Sequence, residues 1–78
     1  MKYYYVLTQL GRETIPRLRE IGKDSEADIL EYLDKPSSAT VEQLADAMHL
    51  DEGITYDKLR WLSARRLVWQ KTTKFVQF

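Results

Sequence analysis

The stretch from Thr40 to Val68 limits what this chain can become more than any other. It holds two apolar-periodic segments a few residues apart, each opened by a residue suited to cap a helix. Thr40 stands three residues before Gln43, the spacing at which a hydroxyl and an amide satisfy otherwise orphaned backbone donors. Val41, Leu44, Ala45 and Met48 then recur at helical spacing, with Glu42, Gln43, Asp46 and Ala47 between them. That pattern predicts one amphipathic helix of about two to three turns. His49 and Leu50 close it. Asp51 is placed to cap a second helix running from about Glu52 to Arg65, with Leu59 and Leu62 facing inward. Two helices joined by so short a turn form the unit used to dock a helix into the major groove.

These residues also carry a family resemblance. Leu44-Ala45-Asp46-Ala47-Met48-His49-Leu50 resembles the Leu-Ala-x-x-Leu-Gly-Leu second helix and turn of winged helix-turn-helix transcription regulators. The segment Leu59-Arg60-Trp61-Leu62-Ser63-Ala64-Arg65-Arg66-Leu67-Val68 resembles their Leu-x-x-Leu-x-x-x-Gly-Leu-Val end without gaps, and the likeness covers roughly residues 26 to 78. His49 and Arg66 stand where the family usually has glycine. Such turns favour positive φ, which is costly for ordinary residues and less so for histidine. A second likeness lies at the other end. Tyr5-Val6-Leu7-Thr8-Gln9-Leu10-Gly11-Arg12-Glu13 is similar to the Leu-Thr-x-x-Gly-Arg segment that follows the wing in these regulators and joins the last strand to a C-terminal helix. Here it comes first, as in a permuted order, which places the N-terminal strand beside the wing. The resemblance implies an α+β, mainly helical fold: a winged helix-turn-helix three-helix core with a C-terminal β-hairpin wing, and an N-terminal strand plus helix.

The remaining elements follow from local pattern. Lys2 to Thr8 is rich in Tyr and Val and reads as a short strand, with Tyr3 and Tyr5 on one face and Tyr4 on the other. A helix is expected between Gln9 and Ile21, with Leu10, Ile15, Leu18 and Ile21 as its apolar set. Pro16 is awkward inside it, which leaves a start at the proline as the alternative, and Gly22 is a stop signal. Ser25 with Asp28 suggests the cap and first-turn acid of the next helix, whose buried stripe is Ile29, Leu30 and Leu33. Lys35-Pro36 ends it, and 37–39 forms a link. Val68 to Phe78 alternates loosely and predicts a hairpin with Thr72-Thr73 at its tip. The expected division is one domain over 1–78: an N-terminal extension (1–24), a helical core (25–66) and a wing (67–78).

Composition narrows the function classes. A chain of 78 residues builds a single core. Hydrophobic residues at 44% and charged ones at 31% argue against wholesale disorder. The absence of cysteine excludes disulfides and thiolate metal sites. No apolar run approaches a membrane span and no signal-peptide core is evident, so a cytoplasmic protein without membrane partners is expected. The zero net charge hides segregation: residues 1–23 carry net +3, residues 24–52 net −8 and residues 55–78 net +5. A basic C-terminal third is where a phosphate-contacting surface would sit, although attraction to the acidic helices or pairing of two copies also fits.

Two functional readings follow. The first is a DNA-binding regulator, in which the second helix enters the major groove of double-stranded DNA and the wing lies on the backbone. Its candidate contacts are Thr55, Tyr56, Lys58, Arg60, Arg65, Lys71, Thr72, Thr73 and Lys74. Glu52 and Asp57 are discordant, since they face phosphate repulsion. The second is a protein-interaction or homodimerisation module. Ile54 and Trp61, seven residues apart, would form an apolar stripe on the helix, joined by Tyr4 and Trp69; the bland expectation, which weighs more, is that the N-terminal strand and helix cover this face and make it ordinary core. Catalysis, a cofactor and a metal are not expected. His49 lies in a turn with no Cys partner, and there is no Gly-rich phosphate loop, nucleophile elbow or zinc spacing.

Overall fold

In the computed structural model, which describes residues 2–36 and 38–73, the N-terminal segment is not an appendage but the middle of the sheet. The elements in chain order are β1 (Lys2–Leu7), α1 (Gln9–Glu20), α2 (Asp24–Leu33), β2 (Ala39–Thr40), α3 (Val41–Met48), α4 (Glu52–Ala64) and β3 (Val68–Thr73). The sheet order is β2-β1-β3, all antiparallel. β1 pairs with β3 from Leu7↔Val68 to Lys2↔Thr73, and with β2 at Tyr4↔Thr40 and Tyr5↔Ala39. The chain is therefore α+β and mainly helical, with a three-stranded sheet beside four helices.

The core is assembled from nearly every element. Tyr5, Leu18, Ile29, Leu30, Leu33, Leu44, Leu59, Leu62, Leu67 and Val68 are all essentially buried and form one cluster. Periodicity identified most of them, but it failed at both ends of α1. Leu10 and Ile21 are exposed, because α1 turns only Gly11 and Leu18 fully inward, with Ile15 at the margin.

Helix ends explain most of the local architecture. Thr8, not Pro16, opens α1: its hydroxyl accepts from the Gly11 amide at 2.8 Å, and the proline sits in the helix interior. Pro16 is exposed there, so its missing donor leaves one intrahelical bond unmade without disturbing the core. The expected Ser25 cap is also replaced. α2 begins at Asp24 with Lys23 as its N-cap residue and no side-chain cap bond. α3 keeps the predicted reciprocal cap, with Gln43 N donating to Thr40 Oγ1 at 3.2 Å and Thr40 N donating to Gln43 Oε1 at 2.9 Å. Thr40 is also a β2 residue facing Tyr4, so one residue fixes α3 to the sheet. Asp51 caps α4 through Gly53 and Ile54.

Three helices stop in the same way. Gly22, His49 and Arg66 have φ of 81°, 57° and 61°. The next residue's amide reaches back to a carbonyl five positions earlier: Lys23 to Leu18 at 2.8 Å, Leu50 to Ala45 at 2.9 Å, and Leu67 to Leu62 at 3.0 Å. This is the Schellman stop. The left-handed turns expected at His49 and Arg66 are thus formed without glycine.

The wing expectation needs correction. Thr72 and Thr73 are not a hairpin tip but strand residues of β3, laddered opposite Tyr3 and Lys2. The expected second arm, residues 74–78, lies outside the described residues.

Candidate nucleic-acid interface

The site is framed where α4 runs into β3. Leu67, just past the helix, is gripped by the turn between β1 and α1. Thr8 N donates to Leu67 O at 3.2 Å, and Thr8 Oγ1 lies 2.9 and 3.0 Å from the carbonyls of Arg66 and Leu67, close enough to donate to either. Gly11 permits this approach, because a Cβ there would sit 2.1 Å from Leu67 O. The Leu-Thr-x-x-Gly segment therefore has a mechanical role: it locks the end of α4 against the sheet.

With about 100° per residue, α4 divides into a buried face and two flanks. Thr55, Leu59 and Leu62 are buried. Thr55 was expected to reach DNA; instead its hydroxyl donates to Asp51 O at 2.9 Å, and the side chain is inaccessible. The first flank, Ile54, Lys58, Trp61 and Arg65, turns toward α2 and the α1–α2 turn. Lys58 Nζ lies 3.4 Å from Glu26, a carboxylate that is itself buried. Trp61 packs against the core and carries Arg65 at 3.8 Å and Lys23 at 5.1 Å from its ring centroid. Both cations are within cation–π reach. Ile54 remains exposed, so the expected Ile54–Trp61 stripe is not continuous: its lower half is covered.

The second flank turns toward the sheet. Tyr56, Arg60, Ser63 and Ala64 of α4 face Tyr5 of β1 and Gln70 of β3 across an open cleft of about 300 Å³. The Arg60 guanidinium lies 6.0 Å from the Tyr56 ring centroid. Tyr5 is almost wholly buried, and burial, followed by the nearby Tyr56 and Tyr3 phenols, pushes its hydroxyl pKa up. Neither Tyr5 nor Gln70 was recognised from the sequence as belonging here. Strand alternation places Tyr3 and Tyr5 on one face, but only the ladder with β3 brings Gln70 opposite Tyr5.

Cation pairing separates the basic residues. Arg12 binds Asp34, and Arg19 reaches Asp24, Asp28 and Glu31. With Lys58–Glu26, these pairs connect the basic ends of the sequence to its acidic middle. Among the described residues, no salt bridge engages Arg60, Arg66 or Lys71, all exposed. Lys71 and Thr72 lie on β3 beyond the cleft. Lys71 shares with Tyr4, Val6 and Trp69 the sheet face that turns away from α4, by strand alternation and the β1–β3 register. Tyr4 and Trp69 are thus neighbours there, remote from Ile54 and Trp61. The expected contact Lys74 lies outside the described residues.

Among the described residues, no group of three or more His, Asp or Glu is placed to hold a metal ion, and no helix is long and apolar enough to cross a membrane. Comparison with protein-family models, curated proteins and solved structures gave no match.

Proposed function

We propose that this is a DNA-binding protein of permuted winged-helix form, acting as a transcriptional regulator. The observation that carries the reading is the pairing of β1 with β3. In the regulators this sequence resembles, the Leu-Thr-x-x-Gly-Arg segment follows the second strand of the wing. Here the strand that leads into that segment, β1, lies antiparallel to the strand that follows α4. The two strands of the wing are then β3 and β1, in reversed chain order, beside a capped α3, a left-handed turn and α4. In this reading α4 enters the major groove by its outer face and sheet-side flank, led by Tyr56 and Arg60. Lys71, Thr72 and Arg66 lie on the phosphate backbone, where contacts set register without reading sequence. Asp57, on the outer face, is suited to accept from a cytosine amino group.

The test is an amide-resonance titration with duplex DNA of mixed sequence at low and moderate salt. Salt-sensitive shifts at Tyr56, Arg60, Arg66, Lys71 and Thr72 are expected. Arg60→Ala and Lys71→Ala should each weaken binding and flatten its salt dependence. Absence of shifts at low salt would reject the reading.

A second reading has its own observation. Trp69 is half exposed next to Tyr4 and Val6 on the sheet face away from α4, which suits a protein partner or a second copy. Partner binding or dimerisation lost in Trp69→Ala, with the DNA titration flat, would favour it.

A further inference from the structure

The cleft between α4 and the sheet has a chemistry unlike the rest of the surface. Its walls supply the Tyr5 and Tyr56 phenols, the Ser63 hydroxyl, the Gln70 amide and the Arg60 guanidinium. All five can donate hydrogen bonds, and no carboxylate is among the lining residues. A larger groove, between α1, α2 and α3, is lined by Asp28, Glu31 and Asp34 with Lys35 beside them. Arg60 has no carboxylate partner among the described residues, although Asp57 lies three positions away on the same helix. Tyr5 adds a second observation. Only 1% of its surface is exposed, yet it lines this cleft, so the floor is held by a side chain fixed in the core.

We infer that this cleft seats one phosphoryl oxyanion, with Arg60 as its charged ligand and the Tyr5, Tyr56, Ser63 and Gln70 donors around it. Its volume of about 300 Å³ is at the small end for ligand pockets, suited to one phosphate with part of its ester group. Guanidinium suits phosphate because its planar fork can donate two hydrogen bonds to adjacent oxygens. The inference rests on the DNA reading in one respect, that the phosphoryl group is a backbone phosphodiester; free phosphate has the same chemistry. It assigns Arg60 to phosphate rather than to a base edge, so Arg60 fixes the depth and register of α4 instead of selecting sequence.

The experiment titrates the full chain with inorganic phosphate against chloride at matched ionic strength, following the amides of Tyr56, Arg60, Ser63 and Gln70 and the Arg60 Nε–H. Saturable shifts confined to these groups are expected. Arg60→Gln should abolish them. Tyr5→Phe, which keeps the core ring, should weaken phosphate about tenfold, the effect of one hydrogen bond to a charged acceptor. Shifts that do not saturate, or that spread equally to Arg17, Arg66 and Lys71, would overturn the inference.

Duplex DNA forms the second arm. Displacement of phosphate by DNA identifies the backbone as the source. DNA that moves Lys71 and Thr72 while leaving the cleft amides unchanged overturns the cleft and spares the DNA reading. Saturable phosphate binding with no response to DNA rejects the DNA reading, and the cleft stands as a site for free phosphate.

Discussion

The two flanks of α4 are built from similar residues and end in opposite conditions. Each carries one aromatic side chain and at least one cation within the same four turns: Lys58, Trp61 and Arg65 on one side, Tyr56 and Arg60 on the other. Toward α2, the cations have intramolecular partners. Lys58 meets the buried Glu26, and Arg65 lies over Trp61. Toward the sheet, Arg60 and three hydroxyls face an open cleft. The difference teaches that a count of cations on a helix does not locate a binding surface. What matters is which of them the neighbouring elements leave unpaired.

Four experiments break or sharpen this contrast. The largest effect is expected from Gly11→Ala, which attacks the frame both flanks depend on. The new methyl would strike the Leu67 carbonyl, so the α1–α4 junction must shift, at a cost of about 3 kcal/mol in chemical denaturation. A loss below about 0.5 kcal/mol would show that the junction is pliable and does not fix α4.

Trp61→Ala comes next. A half-buried indole packed on the core should cost about 2 kcal/mol, less than the value for a fully buried one. DNA affinity per folded molecule should remain unchanged. A variant of full stability with lost binding would reverse the roles of the two flanks.

Lys58→Ala against Arg60→Ala separates the flanks directly. Removing Lys58 leaves Glu26 buried without its partner and should cost about 1 kcal/mol, discounted for the partial exposure of the pair. Removing Arg60 should change stability by no more than about 0.5 kcal/mol while weakening DNA binding. Equal effects of both variants on stability would remove the distinction.

The smallest effect concerns pH. Tyr5 ionises higher in the folded protein than its ordinary value of 10.0, through burial and then the neighbouring phenols. Above pH 10 the unfolded chain loses that proton while the folded protein retains it. The associated stability is therefore present in full below the ordinary value and declines as pH rises through the folded one. Denaturation midpoints between pH 9 and 11 should fall less steeply in Tyr5→Phe than in the parent.

Much of the fold was legible because its signals are local. The Thr40–Gln43 cap, the Asp51 cap and the inward Leu44, Leu59 and Leu62 depend on spacing within one or two turns. The turns at His49 and Arg66 were marked by the family resemblance, which has glycine at both positions, although this chain carries none there. Other features were hidden for equally physical reasons. The start of α1 was left open between Gln9 and Pro16, because the cost of a proline inside a helix looked prohibitive. An exposed interior position tolerates one missing bond once Thr8 has capped the helix upstream. Thr72-Thr73 was misread as a tip because a strand's partner is not written in its own residues; β1, more than sixty positions away, supplies it.

The sequence by itself determined the helices, the caps of α3 and α4, most of the core and the separation of charge along the chain. Only the tertiary structure decided which cations remain free. Caps and periodicity act across three or four residues, so they are set before the chain folds back on itself. Pairing of Lys58 with Glu26, or of Tyr5 with Gln70, joins residues 32 and 65 positions apart. It exists only after α4 has been pressed between α2 and the sheet.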